Sequence, residues 1–215
     1  MNPLQLILGD EEFLIDRATS SIIRAVRSTM QSNPEELPIT KLRAGDVTPS
    51  EISELLSPSL FAEDRVVILA AAGEAGKEAV STIEQAVKEP APGVVLIVIH
   101  SGGGRAKNLV KILKNAGADV TECPKLTKFS EREDFVVNEF RNLGVRPSRD
   151  TVHALLDAIG GDLRELASAV SQLVADTGGR VDPAAVRRYY ACIAGVTGFQ
   201  VADETIAGNT AAALA

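Results

Sequence analysis

The chain has 215 residues, of which 45% are hydrophobic and 24% are charged, and its formal net charge at pH 7 is −7. These values are ordinary for a soluble globular protein of one or two domains. The acidic balance argues against strong independent binding of nucleic acid, which needs clustered Lys and Arg. Aromatic residues make up only 4% and Trp is absent, which disfavours stacking platforms for single-stranded bases.

Neither export nor metal binding is indicated. The amino terminus lacks the basic segment and apolar run of a signal peptide, and the longest apolar run, 94–99, is too short to span a bilayer. Cys123 and Cys192 are far apart and form no CxxC motif, so we expect reduced thiols and no zinc. We therefore expect a cytoplasmic protein.

Short apolar runs alternate with helical patterns over the first 125 residues. The apolar run at 94–99 is the most hydrophobic, so we expect it to form a central strand. Alternation of this kind predicts a three-layer α/β sandwich around a parallel sheet. The predicted strands are 4–8, 39–42, 66–70, 94–99 and 119–123, and the predicted helices are 11–30, 49–56, 77–88 and 106–115.

Helix-start signals are clear at several places. Thr48-Pro49-Ser50-Glu51 combines an N-cap, a proline at the first helical position and the carboxylate of a capping box. Ser130 to Glu133 predicts another capping box, and Ser148, Asp162 and Asp182 predict three further helix starts. No strand is predicted after Pro124, so the region after residue 125 is interpreted as a separate small helical domain, followed by one more helix at 199–215.

The turn after the first strand is where a phosphate loop would lie in this layout, which is that of AAA+ ATPases. Such a loop needs glycines, a lysine for the phosphates and a hydroxyl for magnesium. Here the turn is Gly9-Asp10-Glu11-Glu12, which places three carboxylates at the phosphate position. We therefore predict neither nucleotide hydrolysis nor a catalytic residue, cofactor or metal ion.

Other candidate sites have ordinary structural interpretations. Gly102-Gly103-Gly104 precedes a helix and could hold an anion, but glycines equally suit a strand-to-helix turn. His100 and His153 lack partners at metal-ligand spacing, so we interpret both as structural.

A connection between the second helix and the third strand is unexpectedly apolar. Leu60 and Phe61 lie where a surface loop should be polar, so they are either packed under their own sheet or offered to a partner. Base rates of burial for Leu and Phe favour core packing when this stretch is taken alone.

Four segments in this order resemble the delta subunit of the bacterial DNA polymerase III clamp loader. The resemblance covers nearly the whole chain. The segments are LILGDEEFLIDRA (6–18), SPSLFAEDRVVIL (57–69), IGGDLRELASAVSQLV (159–174) and FQVADETIAGNTAAAL (199–214).

The resemblance implies an AAA+-like α/β domain at 1–125, a helical lid domain at 126–196, and the first helix of a helical collar at 197–215. It also implies the sheet order 5-1-4-3-2. The implied role in DNA replication is non-catalytic, within a holoenzyme that is a DNA-directed DNA polymerase and therefore a nucleotidyltransferase. The implied partners are the sliding clamp (beta subunit), delta prime and the ATP-binding motor subunits, with DNA met only in the full complex and no membrane.

In the family, a Leu-Phe pair enters a hydrophobic pocket on the clamp and favours the open ring. The matching residues here are Leu60 and Phe61, with a surrounding rim expected at Ser59, Glu63, Asp64 and Arg65. Two other functions stay open: a P-loop-like nucleotide-binding enzyme, and a generic α/β regulatory interaction module.

Overall fold

The computed structural model describes residues 1–30, 34–58 and 64–190. The chain divides into two compact units between Lys125 and Leu126. The predicted helix at 199–215 and the predicted boundary at 196 lie outside the described residues, so the three-domain assignment stays a prediction. No helix in the described ranges is long and apolar enough to cross a membrane.

The first unit is built on a five-stranded sheet in which every neighbouring pair is parallel. The strand order is β2-β3-β4-β1-β5, which is the predicted order, and β4 lies at the centre as its hydrophobicity predicted. The strands are β1 (Leu4–Gly9), β2 (Ile39–Arg43), β3 (Arg65–Ala70), β4 (Val94–His100) and β5 (Asp119–Cys123).

Helices cover both faces of this sheet. The side chains of α1 share one buried cluster with Ile7, Ile68 and Ile97, whereas those of α2, α3 and α4 share the other with Leu6 and Leu96. Successive residues of a strand point to opposite faces, so the inner strands β1, β3 and β4 bury apolar side chains on both faces and are nearly continuous apolar runs. The outer strands β2 and β5 are more polar and more exposed. The helices are α1 (Glu12–Thr29), α2 (Pro49–Leu56), α3 (Lys77–Lys88) and α4 (Leu109–Asn115), with short 3₁₀ helices at Pro34–Glu36 and Ala72–Glu74.

The start of α4 was predicted three residues too early. The amide of Ala106 donates to the carbonyl of Gly73 (3.0 Å), and the amide of Leu109 donates to the carbonyl of Ala106 (2.9 Å). Residues 105–108 are therefore a turn attached to a neighbouring loop, and regular helix begins only at Leu109.

The second unit consists of helices in its described part, 126–190. Its core contains the fully buried side chains of Phe140, Leu155, Leu166 and Leu173. The helices are α5 (Phe129–Asn142), α6 (Arg149–Ile159), α7 (Leu163–Thr177) and α8 (Pro183–Tyr190).

Three of the predicted caps in this unit are confirmed, and one is wrong. Ser148, Asp162 and Asp182 accept hydrogen bonds from backbone amides three residues later. At α5, however, the amide of Lys128 donates to the carboxylate of Glu131 (3.1 Å). The carbonyl of Lys128 accepts from the amide of Arg132, so the N-cap is Lys128, two residues before the predicted cap Ser130, and the helix begins at Phe129.

The capping box that begins α2 is confirmed. The amide of Glu51 donates to Thr48 Oγ1 (3.3 Å), and the amide of Thr48 donates to Glu51 Oε2 (2.8 Å). This bond from the Thr48 backbone holds the pKa of the Glu51 carboxyl below its ordinary value. Two amides at the start of the helix thereby gain acceptors that the helix itself cannot supply.

Replacing Thr48 by Ala should lower the free energy of unfolding by about 1 kcal/mol, the usual cost of a lost N-cap. Ser53→Ala, at an exposed position of the same helix, is the control and should be near neutral. Urea unfolding measures both, and equal midpoints would contradict the capping role.

Glu51→Gln tests the same box through pH. The pKa of Glu51 is lowered in the folded state, so its stabilising contribution is present above the ordinary carboxyl pKa and is lost as the pH falls through the lowered value. The variant should therefore lose less stability than the wild type between about pH 5 and pH 3. An unchanged pH profile would argue against the bond.

Candidate functional site

The turn between β1 and α1 lies at the edge of the sheet where the carboxyl ends of the strands meet. In open α/β sheets ligands bind at this edge, where the strand order reverses, and here β1 lies between β4 and β5. The turn contains only Asp10 and Glu11 between Gly9 and the start of α1. Such a short connection offers few backbone amides to a phosphate.

Backbone contacts close this turn further. A Cβ added at Gly9 would lie 1.9 Å from the carbonyl oxygen of Cys123, and Gly9 adopts a φ of +148° that favours glycine. The amide of Glu11 donates to that same carbonyl (3.0 Å). The turn therefore lies against the end of β5, and one of its few amides is already bonded. With the carboxylates of Asp10, Glu11 and Glu12 around it, this position is poorly suited to a triphosphate.

The glycine-rich turn after β4 is explained by close packing of two loops. A Cβ at Gly104 would lie 2.4 Å from the carbonyl oxygen of Gly73, and one at Gly73 would lie 2.7 Å from that of Gly103. Gly104 also has a φ of +84°. The structural interpretation of these glycines is therefore sufficient, and they need no bound anion to account for them.

His100 lies completely buried beneath this turn. Its Nδ1 accepts from the amide of Gly102 (2.8 Å), and its Nε2 lies 3.2 Å from the carbonyl oxygen of Ala106. One nitrogen accepts and the other donates, which is the pattern of a neutral imidazole carrying its proton on Nε2. The prediction that His100 is structural is confirmed.

The second histidine is also engaged within the protein. His153 Nε2 lies 3.2 Å from the carboxylate of Glu133, and the ring of Phe129 packs edge-on against it at 5.3 Å. Among the described residues, no group of three or more His, Cys, Asp or Glu side chains could hold a metal ion.

An ion pair joins β2 to the loop after β3. The guanidinium of Arg43 donates twice to the carboxylate of Glu74, each time at 2.8 Å. These hydrogen bonds lower the pKa of Glu74 and raise that of Arg43. Arg105 donates to the backbone carbonyl of Glu74, so the loops after β2, β3 and β4 are connected by two arginines. At this edge Arg43 and Glu74 therefore pair with each other, and Arg105 is bonded to the backbone.

Most of the segment predicted to contact the clamp falls outside the described residues. Ser59, Leu60, Phe61 and Glu63 are in this part, whereas Asp64 and Arg65 are described. In the sequence the segment connects the carboxyl end of α2 to the amino end of β3. The described residue Arg65, at the start of β3, is at the edge of the sheet opposite the turn after β1.

Arg65 connects the two ends of this segment. Its Nη2 donates to the carbonyl oxygen of Ser57, the residue that caps α2, and its own amide donates to the carbonyl of Gly93 (2.8 Å). The guanidinium thus holds the end of α2 beside the start of β3. Arg65 was predicted as part of the contact rim, and that stays a prediction; the structure shows in addition this internal bond to Ser57. The sequence pattern held no signal for it, since the bond spans eight residues in irregular backbone.

An apolar pocket at the same edge was not predicted. Its lining includes Leu56, which ends α2, and Leu4, which begins β1. The full lining is Pro3, Leu4, Leu56, Ala86, Val87, Pro90, Ala91, Val94 and Leu96. The pocket would offer an apolar surface to any Leu or Phe side chain that packs back on this unit.

Gly104→Ala should destabilise the protein by about 1–3 kcal/mol, since its Cβ would clash with the Gly73 carbonyl and its φ is unfavourable for Ala. Gly103→Ala is a matched control one residue away, because a Cβ there meets nothing within 4 Å. The two urea midpoints are compared. Equal midpoints would show that the loops are not packed as described.

Comparisons with known proteins bear on the identity of this fold. The sequence profile of the family described as "DNA polymerase III, delta subunit" matches residues 6–124. No curated protein matches the sequence.

Among solved structures, the DNA clamp loader delta protein YqeN of Bacillus subtilis matches with a TM-score of 0.70 and 22% identity, covering 87% of this chain. This chain spans 58% of that protein, and a likeness at this identity shows the fold alone. The RuvB Holliday junction branch migration motor of Thermotoga maritima matches with a TM-score of 0.47 and 11% identity, covering 94% of this chain and 68% of that one. That likeness is too weak to carry an argument.

The structural match to YqeN and the parallel sheet with helices on both faces confirm the predicted α/β fold class. The profile match spans more than half of the sequence, and the chain therefore belongs to the DNA polymerase III delta subunit family.

Proposed function

We propose that this chain is a non-catalytic subunit of the DNA polymerase III clamp loader, which binds the sliding clamp and favours the open form of the ring for loading onto DNA. The observation that carries the proposal is the family match over residues 6–124, which contains the whole segment between α2 and β3. In this proposal Leu60 and Phe61 make the clamp contact. Its rim is formed by Ser59, Glu63, Asp64 and Arg65.

The anchoring of the segment's two ends supports this assignment. Arg65 bonds to the carbonyl of Ser57, so the chain leaves α2 and enters β3 from neighbouring points. Fixing the two ends of a connection reduces the conformational entropy that is lost on binding, which favours affinity. In this proposal Arg65 contributes through this positioning as well as through its place in the rim.

The absence of catalysis is part of the proposal. The short, acidic turn after β1 is packed against the end of β5, and this disfavours the alternative of a nucleotide-binding enzyme. In our proposal the energy of ATP is supplied by the motor subunits, which with delta prime complete the loader. In this proposal the chain contacts DNA inside that assembly, in the cytoplasm.

Replacing both Leu60 and Phe61 by Ala should weaken clamp binding by about two to four orders of magnitude. Burying one side chain of this size contributes about 1.5–3 kcal/mol, and each 1.4 kcal/mol changes affinity tenfold. The measurement is a titration of the purified clamp, with urea unfolding run in parallel. The control is Phe129→Ala with Leu143→Ala, a Phe and a Leu that are each nearly half exposed on the helical unit.

Two outcomes would contradict the clamp contact. Unchanged clamp affinity would remove the pair from the interface. A collapse of the urea midpoint would show that the pair packs on its own unit, where the apolar pocket beside Leu56 offers a surface. A wild-type chain that fails to bind the clamp at all would leave the generic α/β interaction module as the better description.

ATP with magnesium should not raise the melting temperature of this chain, because the turn after β1 lacks both the lysine and the amides of a phosphate loop. A thermal-shift titration up to millimolar ATP makes the measurement, with an active P-loop ATPase as the positive control. Saturable, magnesium-dependent stabilisation in the micromolar range would refute the prediction.

A further inference from the structure

The region around α4 has a charge opposite to that of the whole protein. Residues 101–118 contain no Asp or Glu, in a chain whose net charge is −7. The same region carries four basic residues, which we call the basic strip: Arg105, Lys107, Lys111 and Lys114. The strip is thus a local positive patch on an acidic protein.

The fold turns the strip outward. Ala106, Leu109 and Leu113 are almost fully buried, which fixes the inner side of this segment against the sheet. All four residues of the strip are exposed. Lys111 and Lys114 are three residues apart on α4, a spacing that places neighbours on a helical surface about 5–6 Å apart. Lys107 lies in the turn that precedes this helix.

The lysine charges are largely available to a ligand. Within the described residues, no ion pair engages Lys107 or Lys111. Lys114 Nζ lies 3.8 Å from the carboxylate of Glu122, but both side chains are about half exposed, and ion pairs of this kind are weak. Arg105 is the exception, since it donates to the backbone of Glu74.

We propose that the basic strip binds the phosphate backbone of duplex DNA. Clustered lysines that can each reach one phosphate are the usual source of such affinity, because each contact releases condensed counterions. The strip has no aromatic side chain, so it offers no stacking platform to single-stranded bases. Cores of protein interfaces are depleted in Lys and enriched in aromatic residues, which disfavours an acidic protein as the ligand. The proposed binding does not depend on the DNA sequence, because phosphate contacts do not distinguish one base from another.

Three lysine contacts predict a definite salt dependence. With a slope of about −0.9 per phosphate on a double-logarithmic plot, affinity should fall on the order of 40-fold between 50 and 200 mM KCl. Replacing Lys107 alone by Gln should reduce this fall to roughly 12-fold, because one contact is removed.

The test measures fluorescence anisotropy of a labelled 20-base-pair duplex titrated with the full chain at low salt. The variant K107Q/K111Q/K114Q is compared with the control R24Q/R27Q/K41Q. The control changes the net charge by the same amount as the lysine variant. Its three positions are exposed and lie on α1 and β2. Gln keeps good helix propensity, so the lysine variants should fold. Circular dichroism checks both proteins.

The expected result is at least a tenfold loss of duplex affinity for the lysine variant and little change for the control. Equal losses of duplex affinity in the two variants would show a dependence on net charge alone and would overturn the proposal. Duplex binding that neither variant weakens would overturn it too. So would a wild-type chain that does not bind duplex at 50 mM salt. Tighter binding of a single strand of the same length would overturn the duplex assignment. A lysine variant with unchanged duplex affinity but weakened binding to the clamp would assign the strip to a protein partner. The L60A/F61A variant should bind duplex like the wild type, so failure of the clamp contact and failure of the strip are distinguishable.

Discussion

The parallel direction of all five strands is the constraint on which the rest of this structure depends. A parallel sheet must be covered on both faces, so its inner strands β1, β3 and β4 consist mostly of apolar side chains that pack in the core. Functional groups are then confined to the two edges where the strands begin and end, and to the outer surfaces of the helices. The edge at the carboxyl ends is where α/β proteins usually bind ligands. In this protein that edge is filled by the chain itself.

The closure of that edge rests on backbone contacts rather than on side chains. Gly9 lies against the carbonyl of Cys123, and Gly104 lies against that of Gly73, at distances that a Cβ would not permit. A single substitution to lysine in the turn after β1 would therefore not restore a phosphate loop, because the loop itself lacks the length and the free amides. The predicted absence of nucleotide binding thus rests on the backbone path of this turn as much as on its side chains.

Much of the fold could be predicted because its signals are local. The apolar run that became β4 and the capping box of Thr48 and Glu51 depend on residues within one turn or one strand, and each was found at its predicted place. One of the two errors lies where a distant contact decided, because the carbonyl of Gly73 bonds to Ala106 and delays α4. The other is local: Glu131 accepts from the amide of Lys128, three residues earlier, although Ser130 had the residue type expected of a cap.

The candidate site was less predictable. The prediction that Leu60 and Phe61 contact a partner came from a family resemblance. An apolar dipeptide in a loop does not by itself show whether its side chains bind a partner or pack in the protein's own core. The position of Arg65 beside Ser57 depends on how α2 and β3 meet, which no spacing in the sequence encodes. The overall charge of −7 also concealed the basic strip, because a net value averages over surfaces that face in different directions.

The two proposed contacts belong to different helices of one layer of the α/β unit. Leu60 and Phe61 follow α2 in the sequence, Lys111 and Lys114 lie on α4, and α3 packs against both α2 and α4. Packed helices are about 8–10 Å apart, so α2 and α4 are separated by roughly 20 Å. The two proposed contacts also differ in chemistry, since an apolar pair binds by desolvation and lysines bind by exchange of counterions. Raised salt should therefore weaken the proposed DNA contact strongly while leaving the proposed clamp contact nearly unchanged.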